Sequence, residues 1–354
     1  RLDRLRRWAA VVTAVMTLAL LPQDSCRAAH TTRIVTDLLG VESLAPEWDA
    51  LLDATPCNRA FSSATWYIAA CRAGGTPLFG VARCGGSLAA VIPLLVREGG
   101  AAGFATRLAD YHDLIAASGH GSLAEDLLLE VCAAAGGTLV LEHLRADSLA
   151  VMAIRALAHG ERLDVRLDLE AHACPYADLS GGYQRYLGTR SRAFRKGLFR
   201  AQRKAAAAGL SAREIGPAGA PGGSLVAPFL ALHRARRERG CFDREDHCAF
   251  LNEALDRLVS GRRMRAFALY DGEAIVAIDL CAVGVESLCS WNGGFLPEYA
   301  DFSPGTLIFA EEIRIACGEG KREYDLLRGE EPYKASWATA SRELCTARLT
   351  LRAT

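Results

Sequence analysis

Apolar positions recur along this chain with two periods, and the switches between them mark out alternating strands and helices. Residues 33–38 read as a strand, and residues 44–52 as a helix with Ser43 at its N-cap and Glu47 close behind. A second helix covers 63–71 and stops at Gly74-Gly75. Residues 78–82 and 88–96 form a hairpin joined by Gly85-Gly86. Then follow a strand at 110–116, a helix at 123–135, a strand at 138–143, a helix at 148–158 and a strand at 165–169.

The pattern breaks between 171 and 182, where Pro175 and Gly181-Gly182 interrupt it, and a domain boundary is expected there. The second half opens with one long helix over 183–208, then a Gly-, Ala- and Pro-rich loop at 216–223. Helices are predicted at 225–239 and 248–258, and strands at 265–270, 274–283 and 287–292. A helix over 306–318 and strands at 323–327 and 343–351 complete the series. Each half holds a strand hairpin followed by a strand–helix–strand crossover. That is a repeat of organisation, not of residues. Paired halves of this kind often place a site in the cleft between them.

The 354 residues suit about two domains, and with 51% of them hydrophobic each can bury a core. Basic and acidic residues balance at 41 each, so no global charge points to DNA or to a membrane surface. The 12 cysteines include no C-x-x-C pair. Cys241, His247 and Cys248 are poor zinc geometry, so no metal is expected. Cysteines inside apolar runs, such as Cys71, Cys132 and Cys281, read as small buried hydrophobes in a reducing compartment. At the N-terminus, Arg1, Arg4, Arg6 and Arg7 precede an apolar stretch over 8–21. It is signal-like but too short to span a bilayer, and Ser25-Cys26-Arg27-Ala28 is a poor cleavage region. Met16 reads as an alternative start, so 1–31 is taken as an extension. The protein is expected in the cytoplasm, with export left open by the signal-like stretch.

The densest polar and aromatic string lies late in the chain. It runs Trp291-Asn292-Gly293-Gly294-Phe295, Tyr299, Ser303-Pro304-Gly305, then Tyr324-Asp325-Leu326-Leu327-Arg328-Gly329-Glu330-Glu331-Pro332-Tyr333-Lys334 and Trp337. In this order the string resembles the CelD-like acyltransferases of the GNAT superfamily, which are associated with cellulose and exopolysaccharide biosynthesis. The resemblance extends upstream through His233-Arg234-Ala235-Arg236-Arg237 and Gly240, thins to Trp48, Phe61-Ser62 and the strand at 88–95, and is absent before about residue 38. The family is similar in turn to the Fem-type aminoacyltransferases, with Tyr333-Lys334 in the place of their aromatic-Lys pair. The resemblance implies an α/β fold of mixed sheets in two GNAT-like halves, at 32–170 and 171–354. It implies transfer of an acyl group, most simply acetyl from acetyl-CoA, to an amine or hydroxyl of a sugar or cell-envelope precursor. Aminoacyl-tRNA is the alternative donor.

Acyl transfer needs an anion site for the donor and charge stabilisation at the tetrahedral centre. Ser303, Gly305, Thr306 and Leu307 stand at a helix start, where free amides suit a pyrophosphate; an ordinary Ser-Pro cap is the other reading. Lys334 is the first candidate for the oxyanion, against a surface salt bridge with Glu330 or Glu331. Asp325 serves either as general base or as partner of Arg328. Tyr333 either protonates the leaving thiolate or packs. Trp291, Tyr299, Arg328, His233 and Arg237 are candidates for holding substrate.

Two further features stand apart. Arg185, Arg190, Arg192, Arg195, Lys196, Arg200, Arg203 and Lys204 load one helical region with positive charge, either a solvated face or a site for an anionic ligand. Gly119, Gly121 and Ala124 match G-x-G-x-x-A, with Glu142 where a ribose-binding acid belongs, which taken alone is an NAD site. The polar strand before it and the antiparallel pattern after it argue against that oxidoreductase reading. A non-catalytic binding module is the remaining class.

Overall fold

The structure, a computed structural model, describes residues 30–55, 61–96, 102–104, 108–216, 223–236 and 240–352. The signal-like stretch, Cys26, Cys57 and the candidate Arg237 lie outside the described residues.

The first half comprises β1 (His30–Val35), α1 (Leu38–Ala54), α2 (Ala64–Arg72), β2 (Thr76–Cys84), β3 (Ser87–Val96), β4 (Ala102–Phe104), β5 (Ile115–Ala116), α3 (Gly121–Ala134), β6 (Thr138–Arg145), α4 (Leu149–Ala158) and β7 (Leu163–Leu169). The second comprises β8 (Cys174–Asp178), α5 (Gly182–Thr189), α6 (Arg192–Ala207), β9 (Leu210–Ile215), α7 (Val226–Arg236), α8 (Glu245–Ser260), β10 (Met264–Asp271), β11 (Ala274–Val283), β12 (Ser287–Phe295), α9 (Pro304–Gly318), β13 (Glu323–Asp325), α10 (Pro332–Trp337), β14 (Ala340–Arg342) and β15 (Leu344–Leu351).

Side-chain caps set the starts of four helices. Ser63, Ser148 and Ser191 each accept the amide three residues on and start α2, α4 and α6. Asp37 does the same for Gly40 at 2.8 Å, so α1 begins six residues before the expected start at 44. The single helix expected over 183–208 is two helices. Arg190 is extended at ψ 151°, and Ser191 spends its hydroxyl on capping α6. The strand expected at 110–116 is only two residues long. There the Asp113 carboxylate takes the amides of Leu114, Leu149 and Ala150, and this segment bonds to a side chain instead of a ladder.

Two sheets result. One runs β1-β2-β3-β4-β6-β15-β7, with β5 on β3; the other runs β14-β8-β13-β12-β11-β10-β9. The last strand, β15, lies between β6 and β7 in the first sheet, so the chain crosses back after completing the second. A core shared by both halves joins them. Trp66 of α2 packs edge-on against Phe250 of α8 at 4.8 Å and against Trp291 of β12 at 5.5 Å. No described helix is long and apolar enough to cross a membrane. Nine described cysteines are free thiols, and Cys71, Cys132 and Cys281 are buried as expected, but Cys84 is disulfide-bonded, which the reading of a reducing compartment did not anticipate.

The G-x-G-x-x-A segment does lead into α3. However, β5 before it pairs antiparallel with β3, and the parallel contact of this segment to β6 is an isolated bridge from His112 to Leu144. That is not the extended parallel pair a dinucleotide fold requires.

Candidate active site

Among the described residues, strands β12 and β13 are the one parallel pair in the second sheet, and they pair over only three residues each, Ser287 to Cys289 with Glu323 to Asp325. Beyond that point they part. Trp291 is a bulge on β12, since Cys281 of β11 faces Ser290 while Leu280 faces Asn292. The gap opens into a cavity of about 440 Å³, lined by β11, β12, the start of α9, the turn after β13 and α10.

Lys334 reaches this cavity from α10, whose start is set by Pro332. Only 6% of the lysine is exposed. Its Nζ donates to the Arg328 carbonyl at 2.6 Å and lies 3.1 Å from Glu331 Oε2, so the expected ion pair and the cavity position coexist. Gly329, at φ +126°, permits the turn beneath it; a Cβ there would collide with Glu331 and sit 2.9 Å from Nζ. Tyr333 lines the cavity with 41% of its surface exposed and its ring 6.0 Å from Phe309.

Arg328 also lines the cavity, and its partner is Asp110 of the first half at 2.5 Å, not Asp325. Its second nitrogen is 3.2 Å from His143 Nδ1, which is 2.9 Å from Glu170. Burial pushes Asp110 up against the opposing pull of Arg328. Burial also pushes Glu170 up, but the hydrogen bonds and charge of His143 prevail and bring it down to about 2.

The helix start differs from expectation in one respect. Ser303, Gly305 and Thr306 line the cavity, and Ser303 is left-handed at φ 56°. Its carbonyl accepts the amides of Thr306 at 2.9 Å and Leu307 at 3.2 Å, so these two are not free for an anion. Leu307 itself is buried in the core. Space beside Gly305 is open, and a methyl group added there would meet nothing within 4 Å.

Three other candidates lie elsewhere. Asp325 is 1% exposed and does not line the cavity. It accepts the Tyr111 hydroxyl at 2.7 Å and the Leu327 amide at 2.8 Å, and so ties the two halves together. Tyr299 sits outside, bonded to Asp271 at 2.7 Å. His233 is fully buried between Phe229 and Phe242. Trp291 does line the cavity, with its Nε1 donating to the Leu108 carbonyl at 2.7 Å. The His247 ring bonds to the Cys241 carbonyl at 2.7 Å, and the Cys248 thiol bonds to the Phe242 carbonyl at 2.7 Å.

Sequence reasoning missed an acidic pair. Asp279 of β11 lines the cavity with 6% exposure and accepts the Ser290 hydroxyl at 2.8 Å. Behind it, Glu312 of α9 is fully buried and accepts the Tyr324 hydroxyl. A carboxylate oxygen of Asp279, the Cys281 sulfur and a carboxylate oxygen of Glu312 lie within 4.8 Å of one another. Burial drives both carboxyls up, Glu312 well above its ordinary range. The signal was present: Asp279 is the one charged residue in the apolar run 274–283.

The basic region forms a separate shallow groove lined by Arg192, Arg195, Lys196 and Arg203, with Phe199 48% exposed among them. None of these residues lines the cavity.

Residues 192–335 match the family model described as an acetyltransferase (GNAT) domain. No curated protein matches the chain. Among solved structures, a C-terminal DUF2156 domain from Agrobacterium fabrum superposes with a TM-score of 0.59 at 12% identity, covering 87% of this chain and 92% of that one. FemX superposes with a TM-score of 0.58 at 11% identity, covering 89% and 96%. L-PGS from Bacillus licheniformis does so with a TM-score of 0.56 at 12% identity, covering 85% and 90%. These likenesses show the fold. The protein has a mixed α/β fold with a GNAT domain, and its two sheets with their helices resemble a two-lobed GNAT-like fold. Its second lobe carries a GNAT acetyltransferase domain, so the protein is an enzyme of the acyl-CoA-dependent transferase class.

Proposed function

We propose that this enzyme transfers an acetyl group from acetyl-CoA to an amine or hydroxyl of a sugar or cell-envelope precursor, the chemistry implied by its resemblance to the CelD-like family. The observation that carries the reading is the single cavity shared by the parted strand β12, the start of α9 and the Lys334 ammonium. Backbone left unpaired where β12 leaves β13 suits the amides of an extended donor arm. An ammonium has three donors, and two of those on Lys334 are directed at Arg328 O and Glu331. The third is available to a developing oxyanion, in a site where burial strengthens the interaction. Tyr333 stands at the mouth as a proton source for the leaving thiolate. Trp291 and Phe295 offer aromatic walls for a sugar or acyl chain.

Thermal-shift titration with CoA and acetyl-CoA tests the donor, and stabilisation by both is expected. Lys334→Ala is expected to lower turnover by about 10²- to 10³-fold with little change in CoA binding, on the scale of losing one oxyanion donor. An unchanged rate removes Lys334 from the mechanism.

A second reading rests on the exposed basic groove with Phe199, which suits a nucleic-acid backbone and a stacked base. Under it the donor is aminoacyl-tRNA, as in the Fem-type enzymes. Stabilisation by aminoacyl-tRNA and not by acetyl-CoA decides for it.

A further inference from the structure

Acyl transfer also needs a group that removes the proton from the attacking acceptor. Asp325 does not reach the cavity. Asp279 does, and its surroundings are built around a proton. From β12, Ser290 Oγ donates to Oδ2 at 2.8 Å; from β11 itself, the Cys281 thiol approaches Oδ2 at 3.7 Å. From α7, Arg236 lines the same cavity and favours the charged form. From α9, Glu312 stands behind, with the Tyr324 hydroxyl of β13 on one oxygen.

The other Glu312 oxygen, Oε1, is enclosed and accepts no hydrogen bond from the described residues. An enclosed acceptor left without a donor is destabilising. A proton on Glu312 resolves this, because the neutral carboxyl then donates toward Asp279. That interaction acts in opposite directions on the two acids, favouring a charged Asp279 and a neutral Glu312. Two carboxyls this close and this buried cannot both ionise, so the pair keeps one proton and one charge. Gly293 opposite completes the arrangement, since any side chain there would strike Asp279 Oδ1.

We propose that Asp279, backed by a protonated Glu312, is the general base of the transfer reaction, an assignment that rests on the acyl-CoA reading above. The acceptor nitrogen or oxygen attacks the thioester carbonyl, and its new bond to that carbon forms as its proton passes to the Asp279 carboxylate. The carbon–sulfur bond then breaks. CoA leaves as the thiolate and takes a proton from Tyr333, and the proton held by Asp279 is released to restore the phenol, so that the carboxylate is ready for the next turnover. The retained Glu312 proton lowers the charge cost of keeping Asp279 ionised in a buried place.

Slow hydrolysis of acetyl-CoA, with water as acceptor, serves as the assay, with CoA release followed chromatographically across pH. The wild type should show an ascending limb above the ordinary carboxylate range. Asp279→Asn should bind CoA as the wild type does, lose about 10²- to 10⁴-fold in rate and lose the limb. Glu312→Gln, whose amide still donates, should stay within about tenfold of the wild type. Glu312→Ala, which removes the donor, should move the limb to higher pH. A merely structural Asp279 would leave the limb in place, and retention of both rate and limb in Asp279→Asn overturns the assignment while the acyl-CoA reading stands. A wild type that neither binds CoA nor releases it from acetyl-CoA overturns both.

Discussion

Two aspartates, one in each lobe, look alike by burial and differ in consequence. Asp113 and Asp279 are both almost fully enclosed, and each lines a cavity, of about 380 Å³ and about 440 Å³ respectively. Burial raises both, Asp113 to about 7. Asp113, however, is surrounded by backbone. Its carboxylate takes the amides of Leu114, Leu149 and Ala150, and with Ser148 it caps α4. Those donors cannot move and cannot accept a proton. Asp279 faces a hydroxyl, a thiol and a second carboxyl, all of which exchange protons. Enclosure alone therefore does not mark a catalytic acid. The kind of partner does.

The comparison can be broken by exchanging each acid for its amide. Asp279→Asn is expected to produce the largest effect, a loss of turnover of about 10²-fold or more with the fold intact, read by kinetics beside a melting curve. Asp113→Asn is expected to do the reverse. It places an NH₂ against backbone amides, so stability falls by about 1–3 kcal/mol while CoA affinity is unchanged, read by denaturant titration beside ligand titration. If the two phenotypes were exchanged, the distinction would be lost.

Proton linkage sharpens the contrast. An aspartate raised to about 7 in the folded state titrates near 4 when unfolded, so between those values the folded state holds the extra proton. Stability from this group is greatest below pH 4, falls as pH rises toward 7, and is lowest above it. The melting difference between wild type and Asp113→Asn is thus expected to be larger at pH 4.5 than at pH 8. The smallest effect belongs to Tyr299→Phe. This residue bonds to Asp271 outside the cavity, so turnover should be unchanged and stability should shift by less than about 0.5 kcal/mol.

Much of the fold was legible in local patterns. The hairpin of β2 and β3 and the starts of α2 and α4 stand where alternation and helical periodicity put them, whereas the cap expected at Ser43 is supplied by Asp37. Pro304 likewise marks a real helix start. The misses share a cause. Strands β8, β9 and β14 were not anticipated, because short edge-like segments acquire their identity from neighbours and not from their own period. The interruption between α5 and α6 was overlooked because basic residues continue through it and mask the capping serine. In the site, a dense polar string led to Ser303, Trp291, Arg328 and Lys334, which share one cavity, and also to Asp325, Tyr299 and His233, which do not line it.

The residues alone determined the class of the chain. Periodicity and turn residues specify alternating strands and helices in two similarly organised halves, since these depend on interactions between near neighbours, and the resemblance of one ordered motif implies that the halves are GNAT-like. Tertiary structure decided the rest. It sent β15 back into the first sheet, gave Arg328 to Asp110 across the lobes, and set Glu312 behind Asp279. A carboxyl's readiness to hold a proton depends on groups within a few ångströms, and the chain brings those groups together only when the two sheets and their helices are packed.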